Sequence, residues 1–147
     1  MKTLIIYDSF FGNTEQIALT ISKSIGYQEN IETSRVSDIK LEQLNGLDLL
    51  IVGSPTRAFN PTKAITNFLN SIPSNGLNGI KVSAFDTRIS TADVNSRMLN
   101  TLVKLFGYAA QLIADKLVDG AWTLWGIGLG AIEEVNPVMR WLIKKNH

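Results

Sequence analysis

Apolar residues return along this chain in two alternating rhythms. Thr3 to Tyr7 is a short, nearly continuous apolar run with a β-branched bias, which suits a strand buried on both faces. Over Thr14 to Ile25 the rhythm lengthens. Ile17, Ala18, Ile21 and Ile25 recur at helical spacing, and Gly26 is placed to end the helix. Asn30 to Val36 reads as a second strand and Leu49 to Val52 as a third, entirely apolar one. Asn60-Pro61 then opens a helix, with Asn as N-cap and Pro in the first turn, and Ile65, Phe68, Leu69 and Ile72 form its inner face. Ile80 to Phe85 is a fourth strand. Val94 to Leu117 reads as helical with an interruption at Gly107, where glycine costs about 1 kcal/mol. Ala121 to Trp125 can form a fifth strand and Glu133 to Lys145 a closing helix. In that last segment Val138, Trp141 and Leu142 make an apolar stripe. Arg140, Lys144 and Lys145 make a basic end that compensates the helix dipole; attachment to a membrane surface is the second reading.

Strand–helix alternation through five strands predicts an α/β protein with a parallel sheet covered on both faces. Right-handed crossovers leave few topologies, and ligands of such sheets bind beyond the carboxyl ends of the strands where strand order reverses. The loops after strands one, three and four are therefore the places to look for chemistry. With 147 residues and no repeat or linker-like stretch, residues 1–147 read as one domain.

Composition narrows the chemistry. The chain is 45% hydrophobic and 18% charged, as ordinary globular proteins are. The longest apolar stretch, Ala121 to Ile132, is too short to span a membrane and carries three glycines. Met1-Lys2 is followed at once by a strand and Asp8 rather than by a secretory leader, so a cytoplasmic location is expected. There is no cysteine, which excludes disulfides, thiolate metal sites and cysteine nucleophiles. The single histidine is His147, so the usual general base and zinc ligand are missing; no metal site and no catalytic side chain are expected. A net charge of +1 gives no basic field for nucleic acid. The chemistry must come from something bound.

Three loops point to what is bound. Ser9-Phe10-Phe11-Gly12-Asn13-Thr14 lies between a strand and a helix. Its two hydroxyls flank a glycine, and it brings backbone N–H groups to a helix N-terminus, a ready cradle for a phosphate. Asn13 and Gln16 have capping-box spacing. The loop lacks the lysine of GxxxxGK[ST], which counts against an NTPase, and GxGxxG is absent too. A capped helix after a polar turn is the plainer reading. The second loop is Gly53-Ser54-Pro55-Thr56-Arg57-Ala58-Phe59-Asn60-Pro61, in which Phe59 offers an aromatic face for stacking or serves as a buried anchor. The third, Phe85-Asp86-Thr87-Arg88, reads in isolation as a surface turn with an Asp–Arg pair.

Taken in order, these segments resemble the flavodoxin-like family, short-chain type. Tyr7-Asp8-Ser9-Phe10-Phe11-Gly12-Asn13-Thr14 is similar to its phosphate loop, [TS]-x-[TF]-G-x-T; Gly53-Ser54-Pro55-Thr56-Arg57 is similar to its loop after strand three, and Phe85-Asp86-Thr87-Arg88 to its segment after strand four. The resemblance covers roughly residues 1–117 and thins beyond Leu117. It implies a three-layer, doubly wound five-stranded parallel sheet in the order 2-1-3-4-5, with FMN bound noncovalently. Ser9, Phe10, Phe11, Gly12, Asn13 and Thr14 would hold the phosphate. Pro55, Thr56, Arg57, Ala58, Phe59 and Asn60 would flank the ribityl and ring, with Phe59 or Arg57 stacking on it, and Asp86, Thr87 and Arg88 would border the pyrimidine edge.

The function the resemblance implies is electron transfer between redox partner proteins. The alternative is an FMN-dependent NAD(P)H or quinone oxidoreductase, with a small quinone or nicotinamide substrate; a flavin-free module on the same fold is a third reading. Carriers of this family are strongly acidic, whereas this chain has a pI near 8.0, which weakens that mode of steering. Arg57 and Arg88 at the ring would raise the flavin potential, and Ala58 would resist any positive φ. Trp122 and Trp125 read as core and rim of an edge strand, leaving a homodimer interface open.

Overall fold

The computed structural model describes residues 1–26, 30–58, 60–88, 109–118 and 127–130. Strands β1 (Lys2–Tyr7), β2 (Asn30–Arg35), β3 (Leu49–Pro55), β4 (Lys81–Arg88) and β5 (Ile127–Gly130) form a sheet in the order β2-β1-β3-β4-β5. Every pairing is parallel. Order reverses between β1 and β3, which lie side by side with Tyr7 opposite Gly53. The expected topology is the observed one.

The central strands are apolar throughout because both of their faces are covered. In β1 and β3, Leu4, Ile6, Leu50 and Val52 face one way and pack with helices α2 (Lys63–Ser71) and α3 (Ala109–Val118). The alternate residues Ile5, Tyr7, Leu49 and Ile51 pack on the other face with Ala18, Ile21 and Ile25 of α1 (Asn13–Ile25). Three layers result, with the sheet in the middle. Edge strand β2 is polar and half-exposed, as an edge exposed to water should be.

Several boundaries differ from the sequence reading. The second strand stops at Arg35, since Val36 turns into a short 3-10 segment and buries itself in the core. The third and fourth strands run on to Pro55 and Arg88, through residues read as loop. Helix α2 begins at Lys63 rather than at Asn60-Pro61. Its N-cap is Thr62, whose Oγ1 accepts the Ile65 N–H at 3.3 Å. Asn60 is engaged elsewhere, donating from Nδ2 to the Ala58 carbonyl at 2.8 Å. A fifth strand stands at Ile127–Gly130, paired with Phe85–Arg88 of β4, just beyond the predicted Ala121–Trp125. Glycine is disfavoured in strands, yet Ile127-Gly128-Leu129-Gly130 pairs with the long end of β4, and that pairing overrides the preference. Residues 121–125, the stretch 94–108 of the long helix and the closing helix at 133–145 lie outside the described residues. No helix among the described residues is long and apolar enough to cross a membrane.

Candidate functional site

At the carboxyl end of the sheet three segments meet. The first, Asp8 to Thr14, carries β1 into α1. Ser9 is 3% exposed and its Oγ accepts the Gly12 N–H at 3.0 Å, curling the loop into a tight turn. Gly12 takes a left-handed conformation, φ 85°, which a residue with a Cβ adopts only under strain. It is the helix N-cap, with Asn13 already the first helical residue, so the capping box expected from Asn13 and Gln16 does not form. No side chain caps this helix. The N–H groups of Asn13, Thr14 and Glu15 have no intrahelical partner by geometry. Phe10 and Phe11, 54% and 92% exposed, form the outer lip of the loop.

The second segment leaves β3 at Pro55. Ser54, fully buried, accepts the Thr62 N–H at 3.0 Å and donates to the Pro55 carbonyl at 3.1 Å, fastening the two ends of the loop together. Arg57 and Asn60 exchange backbone hydrogen bonds of 2.9 and 3.0 Å across a turn. Inside it Ala58 holds φ 46°. The position expected to resist positive φ adopts it, and the Asn60 side chain on its carbonyl helps to hold it there. Phe59 lies outside the described residues.

The third segment is the end of β4. Asp86, for which a surface turn was the alternative to a place at the pyrimidine edge, is fully buried. Its Oδ2 accepts the Thr56 hydroxyl at 2.8 Å and the Ala110 N–H of α3 at 3.3 Å. The surface-turn reading fails because β4 continues through this residue, flanked by β3 and β5.

These segments are tied to one another. Thr14, 1% exposed, shares a 2.8 Å hydrogen bond between its Oγ1 and that of Thr87, joining the first loop to the third. The Thr87 carbonyl accepts the Thr56 N–H at 2.9 Å, joining the third to the second. The Arg57 guanidinium lies over the Phe10 ring, 4.9 Å from its centroid, joining the second to the first through a cation–π contact of about 0.5–1 kcal/mol at an exposed site. Ser9, Phe10, Thr14, Thr56, Arg57, Asp86 and Thr87 are thus brought together from three stretches of sequence. Nothing in the sequence singled out Ser54, Thr62 or Arg35 as parts of this arrangement. Arg35, at the end of β2, donates to the Ser9 carbonyl and approaches Asp8, its Nε 3.7 Å from Oδ1.

Close packing constrains the site from below. A Cβ on Gly53 would sit 2.1 Å from Phe85 Cζ, so glycine is needed there for the ring of β4 to lie across β3. Near the first loop, Tyr7 donates its hydroxyl to Glu15 Oε1 at 3.0 Å. Burial, with donation to the Glu15 carboxylate second, raises the Tyr7 hydroxyl above its ordinary value of 10.0. No cluster of three or more metal-ligating side chains is present among the described residues. A linked cradle of neutral N–H and hydroxyl donors is suited to an anion rather than to a cation.

No protein-family model and no curated protein matches the sequence. Solved structures do match. The chain superposes on a flavodoxin from the domain Archaea at 22% identity and a TM-score of 0.71, covering 98% of this chain and 92% of that one. It superposes on the two-electron reduced Megasphaera elsdenii flavodoxin at 18% identity and a TM-score of 0.73, covering 97% and 96%. A Fusobacterium nucleatum flavodoxin bound to flavin mononucleotide matches at 20% identity and a TM-score of 0.62, over 84% of this chain and 70% of that one. With its strand order and its three layers, the chain has the flavodoxin-like fold.

Proposed function

We propose that this protein binds FMN noncovalently and serves in electron transfer. The observation that carries the reading is the first loop, an uncapped helix N-terminus preceded by buried Ser9 and left-handed Gly12 and tied to the loops after β3 and β4. That donor set fits a phosphate monoester: the N–H groups of Phe10, Phe11, Asn13 and Thr14 and the Ser9 hydroxyl would supply hydrogen bonds, and the helix dipole favours the negative charge. Thr56, Arg57 and Thr87, on the two loops tied to the first, are the candidates to border a ring attached to that phosphate, with buried Asp86 holding Thr56 from behind, and a structural neighbour is described as bound to flavin mononucleotide. When bound, FMN supplies the redox chemistry; the protein supplies binding, orientation and electrostatics.

The test is reconstitution. FMN fluorescence should be quenched stoichiometrically by the apoprotein, and FMN should bind far more tightly than riboflavin, which lacks the phosphate. Equal affinities, or no binding of either, would end this reading. An electron carrier should show negligible NAD(P)H oxidation with quinone present; rapid turnover would move the assignment to a reductase. In holoprotein, a midpoint potential lowered by Arg57→Gln would show the guanidinium acting on the flavin. An unchanged one would leave Arg57 only its contact with Phe10.

A further inference from the structure

The sequence of the first loop carries a carboxylate and no cation, an odd composition for a site that must hold a dianion. Asp8 directly precedes Ser9, and its Oδ1 accepts the Ser9 N–H at 2.9 Å, so its charge lies against the loop backbone. Its side chain is 14% exposed, and water screens it little. A second carboxylate, Glu15, stands in the first turn of α1. Left alone, both would oppose a phosphate at this helix end.

Each has a donor turned toward it. Glu15 takes the Tyr7 hydroxyl. Asp8 takes Arg35, which the parallel register of β1 and β2 sets opposite Tyr7, on the side of the sheet where α1 packs. The guanidinium also donates to the Ser9 carbonyl. That second bond pairs the Ser9 carbonyl, an acceptor of the loop, with the end of β2. Glu32 and Asp38 each lie three residues from Arg35 along the chain and both are exposed, with Glu32 accepting from Gln43 Nε2 at 2.6 Å.

We infer that Arg35 is a positioning residue of the anion site: paired with Asp8 and bonded to the Ser9 carbonyl, it removes the charge that would repel a phosphate dianion and fixes the loop to the end of β2. This rests on the reading that FMN binds through its phosphate. The planar fork matters as well as the charge, because one guanidinium serves a carboxylate and a carbonyl together.

The experiment compares FMN with riboflavin by fluorescence quenching of the apoprotein, in wild type, Arg35→Gln, Arg35→Lys, Asp8→Asn and the double variant. Arg35→Gln should lose roughly tenfold to a hundredfold in FMN affinity, the scale of hydrogen bonds to charged groups, while riboflavin affinity stays as in wild type. Adding Asp8→Asn should recover most of that loss, since the repelling charge is then gone. Arg35→Lys should fall between wild type and Arg35→Gln. Equal losses for both flavins in Arg35→Gln would show a merely structural residue and overturn the inference. So would an unchanged FMN preference, or a double variant no better than Arg35→Gln. Should Arg35→Gln not fold, the double variant and Arg35→Lys decide by the same comparison. A wild-type protein that binds riboflavin as well as FMN would sink the phosphate reading itself; one that prefers FMN with or without Arg35 would sink only this inference.

Discussion

Thr14→Val exchanges a hydroxyl for a methyl of nearly the same shape at a position 1% exposed, so no cavity opens and little packing changes. What is lost is the 2.8 Å hydrogen bond to Thr87 that joins the first loop to β4. Leaving the Thr87 hydroxyl half-satisfied in a largely buried site should cost about 1–3 kcal/mol of stability. For a chain of this size that lowers the apoprotein melting temperature by about 2–12 °C. Thr14→Val/Thr87→Val removes both partners, and by the same asymmetry should regain most of the lost stability. Affinity for FMN should behave differently. Each hydroxyl has one proton and two acceptor sites, so when Thr87 donates to Thr14 the Thr14 proton is available to a phosphate. Losing it should weaken FMN binding by roughly tenfold to a hundredfold, and the double variant should not restore it. Thr14→Ser should keep both properties near wild type. Thermal melts of the apoproteins and fluorescence titrations with FMN read the two effects separately. An unchanged melting temperature in Thr14→Val would refute the role of the tie, and so would a double variant whose loss is the sum of the single ones.

Three further outcomes follow from single residues. Ala58 sits at φ 46°; a left-handed alanine costs about 1–2 kcal/mol, and glycine gives back about 0.4–1 kcal/mol through its freer unfolded chain. Ala58→Gly should therefore raise the unfolding free energy by about 1 kcal/mol, read as a higher urea midpoint at unchanged slope, and a fall would contradict the strain. Gly53→Ala should destabilise by about 1–3 kcal/mol, because the new methyl must displace the buried Phe85 ring; a wild-type melt would show that the ring can move aside freely. The raised Tyr7 hydroxyl bears on alkaline stability. The folded protein keeps this proton to higher pH than the unfolded chain, so the contribution is complete below pH ~10 and is lost as pH rises through the folded value. Tyr7→Phe should remove that part of the alkaline decline, and parallel stability–pH curves for the two proteins above pH ~9 would refute it.

Much of the architecture was legible because burial on two faces leaves a plain signature. Continuous apolar runs at β1 and β3 and the Ala18, Ile21, Ile25 and Ile65, Phe68, Leu69 stripes can be satisfied only by helices packed against both sides of a sheet. Boundaries were less legible, since they depend on which of several polar residues wins a hydrogen bond. Asn60 had the composition of an N-cap, but Thr62 is held in place by Ser54 and takes that role. Asn13 had it too, and the Ser9–Gly12 turn put the chain into the helix one residue earlier. Both contests were decided by partners outside the local window.

The same division holds for the site. Loop position and donor chemistry were readable one segment at a time: a glycine between hydroxyls at a helix start, and polar residues following β3 and β4. The joining of those segments was not, because Thr14 and Thr87 lie 73 residues apart, Thr56 and Asp86 lie 30 apart, and Arg35 reaches Ser9 from 26 residues away. By itself the sequence determined the local periods, and through them the layers, the parallel sheet and the end of it that can receive an anion. Tertiary structure alone decided that Asp86 is buried, that Ala58 is strained and that a cation from the edge strand stands behind the first loop. The physical reason is that periodicity is a property of neighbours along the chain, whereas hydrogen-bond satisfaction and charge pairing are properties of neighbours in space, and only the strand register specifies which these are.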